Sequence, residues 1–312
     1  MEKVNRVLVI FPGALGDLMC LRPALAAISR RNRGASVELM ARFELARLVA
    51  GRSVVACAHS IDARGVGELF ADESSLNQSA RRFFRDFDRI YSFFASDDSR
   101  VRARLAATTD GEISFHPFRP GGDGHVSAGY LRAIGDGASP AEARLEPTPD
   151  DLAAASRVLA ESKCDSSNLI VIFPGSGSPG KNWPADKFAA LASMLTHRAG
   201  VAVIIGPAEA SIEPIFREAG VTVLKNLDLP TVAAIARVAA GFVGNDSGVS
   251  HLAAAVGASG VVIFGPTDPA RWRPMGPGGD AQVRVLRGDP IDSIEVREVA
   301  GAISKFVEQR QR

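Results

Sequence analysis

Short uninterrupted apolar runs alternate with longer amphipathic stretches along most of this chain. Residues 7–11, Val-Leu-Val-Ile-Phe, carry no polar interruption, the pattern of a strand buried on both faces of a parallel sheet. A Gly-containing loop follows, and apolar Leu21, Leu25 and Ile28 then recur at i, i+4 and i+7, which predicts a helix. Residues 37–40, 54–57 and 89–94 read as further strands, and 125–134 as a short helix. Residues 145–151 carry two prolines and a Thr-x-Asp-Asp start signal, a linker feeding a new helix. Beyond it the alternation restarts, with strands over 169–173, 201–205, 221–224, 241–244 and 260–264. Helices are predicted between them over 185–198, 211–218, 231–239 and 249–256. A last helix over 292–309 has Val296, Val299, Ile303 and Phe306 on one stripe.

Strands alternating with helices imply parallel sheets joined by right-handed crossovers. The expected fold class is therefore α/β, two Rossmann-like domains with parallel sheets facing a central cleft. Residues 1–147 form the first domain and 148–312 the second, and the last helix is free to pack back on the first. A length of 312 residues and an apolar share of 46% suffice for two cores.

A formal net charge of +1 offers no bulk field for nucleic acid. Arginine supplies nearly all positive charge of the first half, and its planar fork suits phosphate or carboxylate. From composition alone, a solvated surface explains those arginines better. Cys20, Cys57 and Cys164 lie far apart with no CxxC pair, and the histidines show no HxxxH or HExxH spacing. No disulfide framework and no metal site are expected, and a reducing cytosol is. The apolar run at 7–11 is too short for a signal core or a membrane span, and nothing else approaches an 18-residue apolar stretch.

In doubly wound sheets ligands bind beyond the carboxyl ends of the strands, and three loops there carry pointed chemistry. In the first, Gly13 and Gly16 permit a tight turn, and Asp17 falls where a helix starts. Asp17 reads either as a helix cap or as a general base. The second, residues 174–184, has Gly180-Lys181 at the spacing of a P-loop, but Asn182 stands where that motif needs Ser or Thr for Mg²⁺. Its small hydroxyls at Ser176 and Ser178, its backbone N–H groups and its one cation, Lys181, still suit a diphosphate. The third offers Asp246, Ser247, Gly248 and His251 at the start of a helix, whose positive end suits a phosphate. Asp or Ser capping with a helical His is the plainer reading, but Gly248 is a poor helix former, more useful where something approaches the backbone closely. Glu209, after the strand at 201–205, reads as a ribose ligand or as a solvated loop residue. Asp86-Phe-Asp88 resembles a metal-holding DxD but precedes its strand within an arginine-rich segment, so charge pairing in water explains it better.

Taken together, Leu15-Gly16-Asp17, Lys181-x-Trp183-Pro184, Gly244-Asn-Asp246-Ser247-Gly248-x2-His251 and Gly265-Pro-Thr267-Asp268 resemble glycosyltransferase family 9, the heptosyltransferases of bacterial lipopolysaccharide core assembly. The resemblance covers nearly the whole chain. It implies a GT-B fold and inverting, metal-independent transfer from a nucleotide-sugar donor, typically ADP-heptose, to a saccharide or lipid-linked saccharide acceptor. No separate cofactor is implied, and the reaction would run at the inner face of the cytoplasmic membrane, with peripheral contact there. Asp17 would deprotonate the acceptor. Lys181 with Ser176 or Ser178 would hold the donor diphosphate, and Glu209 would meet the ribose. Asp246, Ser247, Gly248 and His251 would contact sugar and phosphates. One departure stands in the first loop, where Pro12-Gly13-Ala14 replaces the family's usual serines. A nucleotide-sugar epimerase of the same architecture, or a non-catalytic nucleotide- or glycan-binding protein, are the rival readings.

Overall fold

The structure, a computed structural model, describes residues 5–63, 78–137, 144–277 and 282–311. The chain divides into two compact units, Met1–Pro140 and Ala141–Arg312. Among the described residues each contains one wholly parallel, Rossmann-like sheet, which makes the fold class α/β.

In the first unit the strands are β1 (Arg6–Ile10), β2 (Ser36–Ala41), β3 (Val55–Ser60), β4 (Arg89–Ser92) and β5 (Glu112–Phe115), in the order β3-β2-β1-β4-β5. The helices are α1 (Leu15–Arg31), α2 (Phe43–Val49), α3 (Gln78–Arg85), α4 (Ser99–Ala106) and α5 (Val126–Ala133). The chain builds outward from β1 through β2 to β3, then returns to lay β4 on the other side of β1. The reversal leaves a switch point between β1 and β4, where a doubly wound sheet opens its ligand crevice.

Four elements here escape the hydrophobic pattern: α2, α3, α4 and β5. The arginine-rich segment is part of α3, whose apolar Ala80 and Phe84 are buried while Arg81, Arg82 and Arg85 stay exposed. Phe84 and the following Phe87 join Leu8, Ile10 and Met40 in one core. Asp88 has a structural task beyond pairing in water. Its Oδ2 accepts the backbone N–H groups of Asn5 (2.8 Å) and Arg6 (2.9 Å), which anchors the start of β1 and holds the carboxyl below its usual range.

Among the described residues the second unit has six strands, β6 (Leu169–Phe173), β7 (Gly200–Ile205), β8 (Thr222–Lys225), β9 (Gly241–Asn245), β10 (Gly260–Phe264) and β11 (Val283–Arg287), in the order β11-β10-β9-β6-β7-β8. Its helices are α6 (Pro149–Glu161), α7 (Ala185–Leu195), α8 (Glu213–Glu218), α9 (Leu229–Val238), α10 (Gly248–Ala255), α11 (Pro269–Trp272) and α12 (Val296–Gln311). The switch point here falls between β6 and β9. The sequence pattern predicts five strands. The sixth, β11, is an edge strand that interleaves buried Val283 and Leu286 with exposed Arg284 and Arg287, which breaks the apolar run.

The linker residues cap α6 reciprocally. Thr148 Oγ1 accepts the Asp151 N–H (3.2 Å), and the Asp151 carboxylate accepts the Thr148 N–H (2.8 Å), a capping box. The helix predicted over 211–218 is α8 over 213–218, with Pro214 in its first turn, and a 3₁₀ segment, Pro207–Ile212, leads into it. The last helix starts at Val296 and packs on α7, β9 and β10 through buried Val299 and Ile303. Among the described residues no helix is long and apolar enough to cross a membrane.

Candidate functional site

The two loops at the switch point of the second unit are joined by their side chains. Lys181, in the loop after β6, places Nζ 2.8 Å from Oδ2 of Asp246, the first residue beyond β9. The Asp246 side chain is only 5% exposed and that of Lys181 34%, so the carboxylate is buried and the lysine side chain stays partly in solvent. Asn245, fully buried at the end of β9, binds the same loop twice. Its Oδ1 accepts the Trp183 N–H (3.0 Å), and its Nδ2 donates to the Pro174 carbonyl (2.7 Å). Trp183 is buried edge-on against Phe188, and its indole N–H donates to the Ile294 carbonyl (3.1 Å). The loop is thus pinned at its start and its end, with Ser176, Ser178 and Lys181 between. Pro184 precedes α7, which begins at Ala185.

Ser176 is half-buried, and its hydroxyl donates to the Ser178 carbonyl (2.7 Å). Ser178 is exposed. Glu209 stands beside this loop. Its Oε2 accepts the Gly206 N–H (3.0 Å), and a Cβ on Gly175 would lie 2.1 Å from its Oε1. Only glycine at 175 leaves room for the carboxylate so close to the backbone.

The third loop runs directly into α10. Ser247 is its N-cap, with Oγ accepting the Ser250 N–H, and the Ser250 hydroxyl donates to the Asn245 carbonyl (2.7 Å). Gly248 is the first helical residue, half-buried, and its N–H and that of Val249 have no acceptor inside the helix. His251 is 5% exposed, in the interior of α10. Gly265, at the end of β10, abuts the same region: a Cβ there would stand 3.5 Å from the Gly180 carbonyl. Lys181, Asp246, Glu209, Ser176, Ser247 and Gly248 therefore cluster at the carboxyl end of one sheet.

In the first unit, Asp17 lies just past the carboxyl end of β1, at the switch point with β4. It is not the N-cap that its place at a helix start leads one to expect. That position belongs to Ala14, and Asp17 is the third helical residue, with Gly16 before it. Asp17 Oδ2 accepts the Ala14 N–H (3.1 Å), and Oδ1 has no partner among the described residues. Beneath the loop, Phe11 meets Phe93, Phe118 and Tyr130 edge-on at 5.7–6.0 Å. A Cβ at Gly13 would lie 2.3 Å from the Phe11 ring and 2.8 Å from Asp17 Cβ. The Pro-Gly-Ala variation of the loop thus meets a steric need for glycine.

The aromatic floor and the double clamp by Asn245 do not show in the sequence pattern. The only sequence signal for the second was the position of Asn245 inside Gly244-Asn-Asp246. Among the described residues, no group of three or more His, Cys, Asp or Glu side chains could hold a metal ion.

Residues 141–287 match the family model of glycosyltransferase family 9 (heptosyltransferase). No curated protein matches the chain in sequence. Solved structures resemble it over nearly its full length. A glycosyl transferase family 9 protein from Veillonella parvula DSM 2008 is 19% identical, with a TM-score of 0.81 over 99% of both chains. The E. coli ADP-heptose lps heptosyltransferase II is 18% identical, with a TM-score of 0.79 over 98% of this chain and 100% of that one. The E. coli heptosyltransferase WaaC with ADP is 19% identical, with a TM-score of 0.67 over 98% of this chain and 99% of that one. At these identities the likeness is one of fold.

Proposed function

We propose, for a chain that carries a glycosyltransferase family 9 domain over residues 141–287, that it moves a heptose or related sugar from an ADP-sugar to a saccharide hydroxyl with inversion and without a metal. The product would be part of a lipopolysaccharide core or a related glycan. The observation that carries this reading is the Lys181–Asp246 pair at the switch point of the second sheet. A cation held by a buried carboxylate, beside a helix N-terminus and a glycine-rich loop, is suited to a diphosphate. E. coli WaaC was solved with ADP, which fits that choice of nucleotide.

The second unit takes the donor. Lys181 and the first-turn N–H groups of α10 receive the diphosphate, Ser176 and Ser178 line it, and Glu209 receives the ribose diol. Asp246, Ser247 and His251 shape the sugar end. The first unit supplies the base, Asp17. The acceptor oxygen forms a bond to the anomeric carbon as the bond to the diphosphate oxygen breaks. The acceptor proton goes to Asp17, and the electron pair leaves on the diphosphate. Charge growing on that oxygen is stabilised by Lys181 and the helix end, groups already in place before the reaction. The work takes place in the cytoplasm, with the acceptor lipid-linked at the inner membrane face.

The test is product analysis by mass spectrometry with ADP-heptose, with and without a heptose-deficient core saccharide. The reading expects a new glycoside and released ADP only when acceptor is present. An altered nucleotide sugar from donor alone would point to an epimerase instead.

A further inference from the structure

The loop that carries Lys181 has no regular structure beyond one 3₁₀ turn, Pro179–Lys181. A loop of this kind needs an external reason to hold one shape, because each ordered residue costs about 1–2 kcal/mol of backbone entropy. That reason is the side chain of Asn245. A single amide accepts from Trp183 at one end of the loop and donates to Pro174 at the other. It also stands 3.5 Å from Asn182 Oδ1. No other uncharged side chain of this size offers both a donor and an acceptor in the same plane. Asn245 is 0% exposed, so water cannot replace either bond. Its neighbour Asp246 receives Lys181 from the interior of the same loop. Consecutive residues of β9 and its end thus close the loop and place its cation.

We infer that Asn245 is a positioning residue for donor binding, acting through Lys181 by fixing the closed shape of the loop 174–183. It touches no substrate. It makes the Lys181 ammonium available at one point in space before the nucleotide arrives. This inference rests on the donor site proposed above. Donor affinity would fall when Asn245 is lost, and would fall only while Lys181 is present to be positioned.

A double-mutant cycle tests it. The probe is whichever of ADP, UDP, GDP and CDP binds the wild-type chain most tightly, measured by calorimetry. Asn245→Ala is expected to weaken that nucleotide tenfold or more in the wild-type background and less than twofold in the Lys181→Ala background, where Lys181→Ala alone already weakens it. Transfer kinetics should show the loss in KM for the donor more than in kcat. Asn245→Ser, whose hydroxyl can serve only one loop end at a time, gives the same comparison if the alanine variant does not fold. Equal losses in both backgrounds, or none in the wild-type background, would overturn the positioning role. A Lys181→Ala chain that binds nucleotide normally would instead overturn the donor site itself, as would a wild-type chain that binds none of the four.

Discussion

Lys181 Nζ and Asp246 Oδ2 lie 2.8 Å apart and join the loop after β6 to the loop after β9. These are the two loops that the strand order places at the switch point of the second sheet. The pair sets the charge of the site. A fixed buried carboxylate holds a lysine whose side chain is about a third exposed, so the site stays open to an anion.

Replacing Lys181 by Met is therefore expected to act twice. Charge-assisted hydrogen bonds are worth about 1.5–3 kcal/mol, so nucleotide affinity should drop roughly 10- to 100-fold. The buried Asp246 also loses its partner, which should cost about 1–2 kcal/mol of stability, at the low end because the lysine is partly solvated. Calorimetric titration and urea denaturation of the same variant read both effects. Arginine at 181 should restore most of the affinity, and a Met variant that binds as well as wild type would remove the diphosphate assignment.

Gly175 and Glu209 offer a test of the ribose contact. A methyl group at 175 would overlap Glu209 Oε1 at 2.1 Å. The carboxylate is the end of a flexible side chain, so it should swing away and leave the fold intact. Gly175→Ala is then expected to weaken donor binding as much as Glu209→Ala, by about 1–2 kcal/mol for one lost polar contact, with no further loss in the double variant. Additive losses would show that Glu209 is not the affected group.

His116 gives the first unit a pH dependence. Burial pushes its imidazole below the ordinary 6.5, partly offset by the bond between Nδ1 and the Ala133 carbonyl (2.9 Å). The unfolded ring takes up its proton near 6.5 and the folded ring only at lower pH. The stabilisation is therefore complete above 6.5 and is lost as pH falls through the folded pKa. The unfolding free energy from urea titrations should decline between pH 7.5 and 5.5, by no more than about 1.4 kcal/mol per pH unit. His116→Asn should flatten that decline, and an unchanged slope would rule out this ring as its source.

The site loops were more legible in the sequence than several structural elements. Glycines, Asp17, Lys181 and Asp246 announce themselves because loops at strand ends need special backbone and charge. The central strands β1, β6, β9 and β10 are equally plain, being buried on both faces. Two of the four edge strands among the described residues escape the pattern: β5 with Glu112 and Ser114, and β11 with two arginines, since an edge strand needs only one apolar face. The arginines of α3 hid its helical stripe for the same reason. The distance from Asn245 to Pro174 and Trp183 was unreadable, since the contacts span 71 and 62 residues and depend on β6 and β9 being neighbours.

Asp17 uses one carboxylate oxygen to cap α1 and leaves the other without a partner among the described residues. Asparagine keeps an oxygen for the cap but cannot take a proton, so Asp17→Asn separates structure from chemistry. The decisive measurement is kcat for transfer by Asp17→Asn, with donor affinity taken on the same preparation. General-base loss predicts a fall in kcat of about 10²- to 10⁴-fold with the donor dissociation constant within twofold of wild type. Turnover near the wild-type rate would contradict the assignment of Asp17 as the group that receives the acceptor proton.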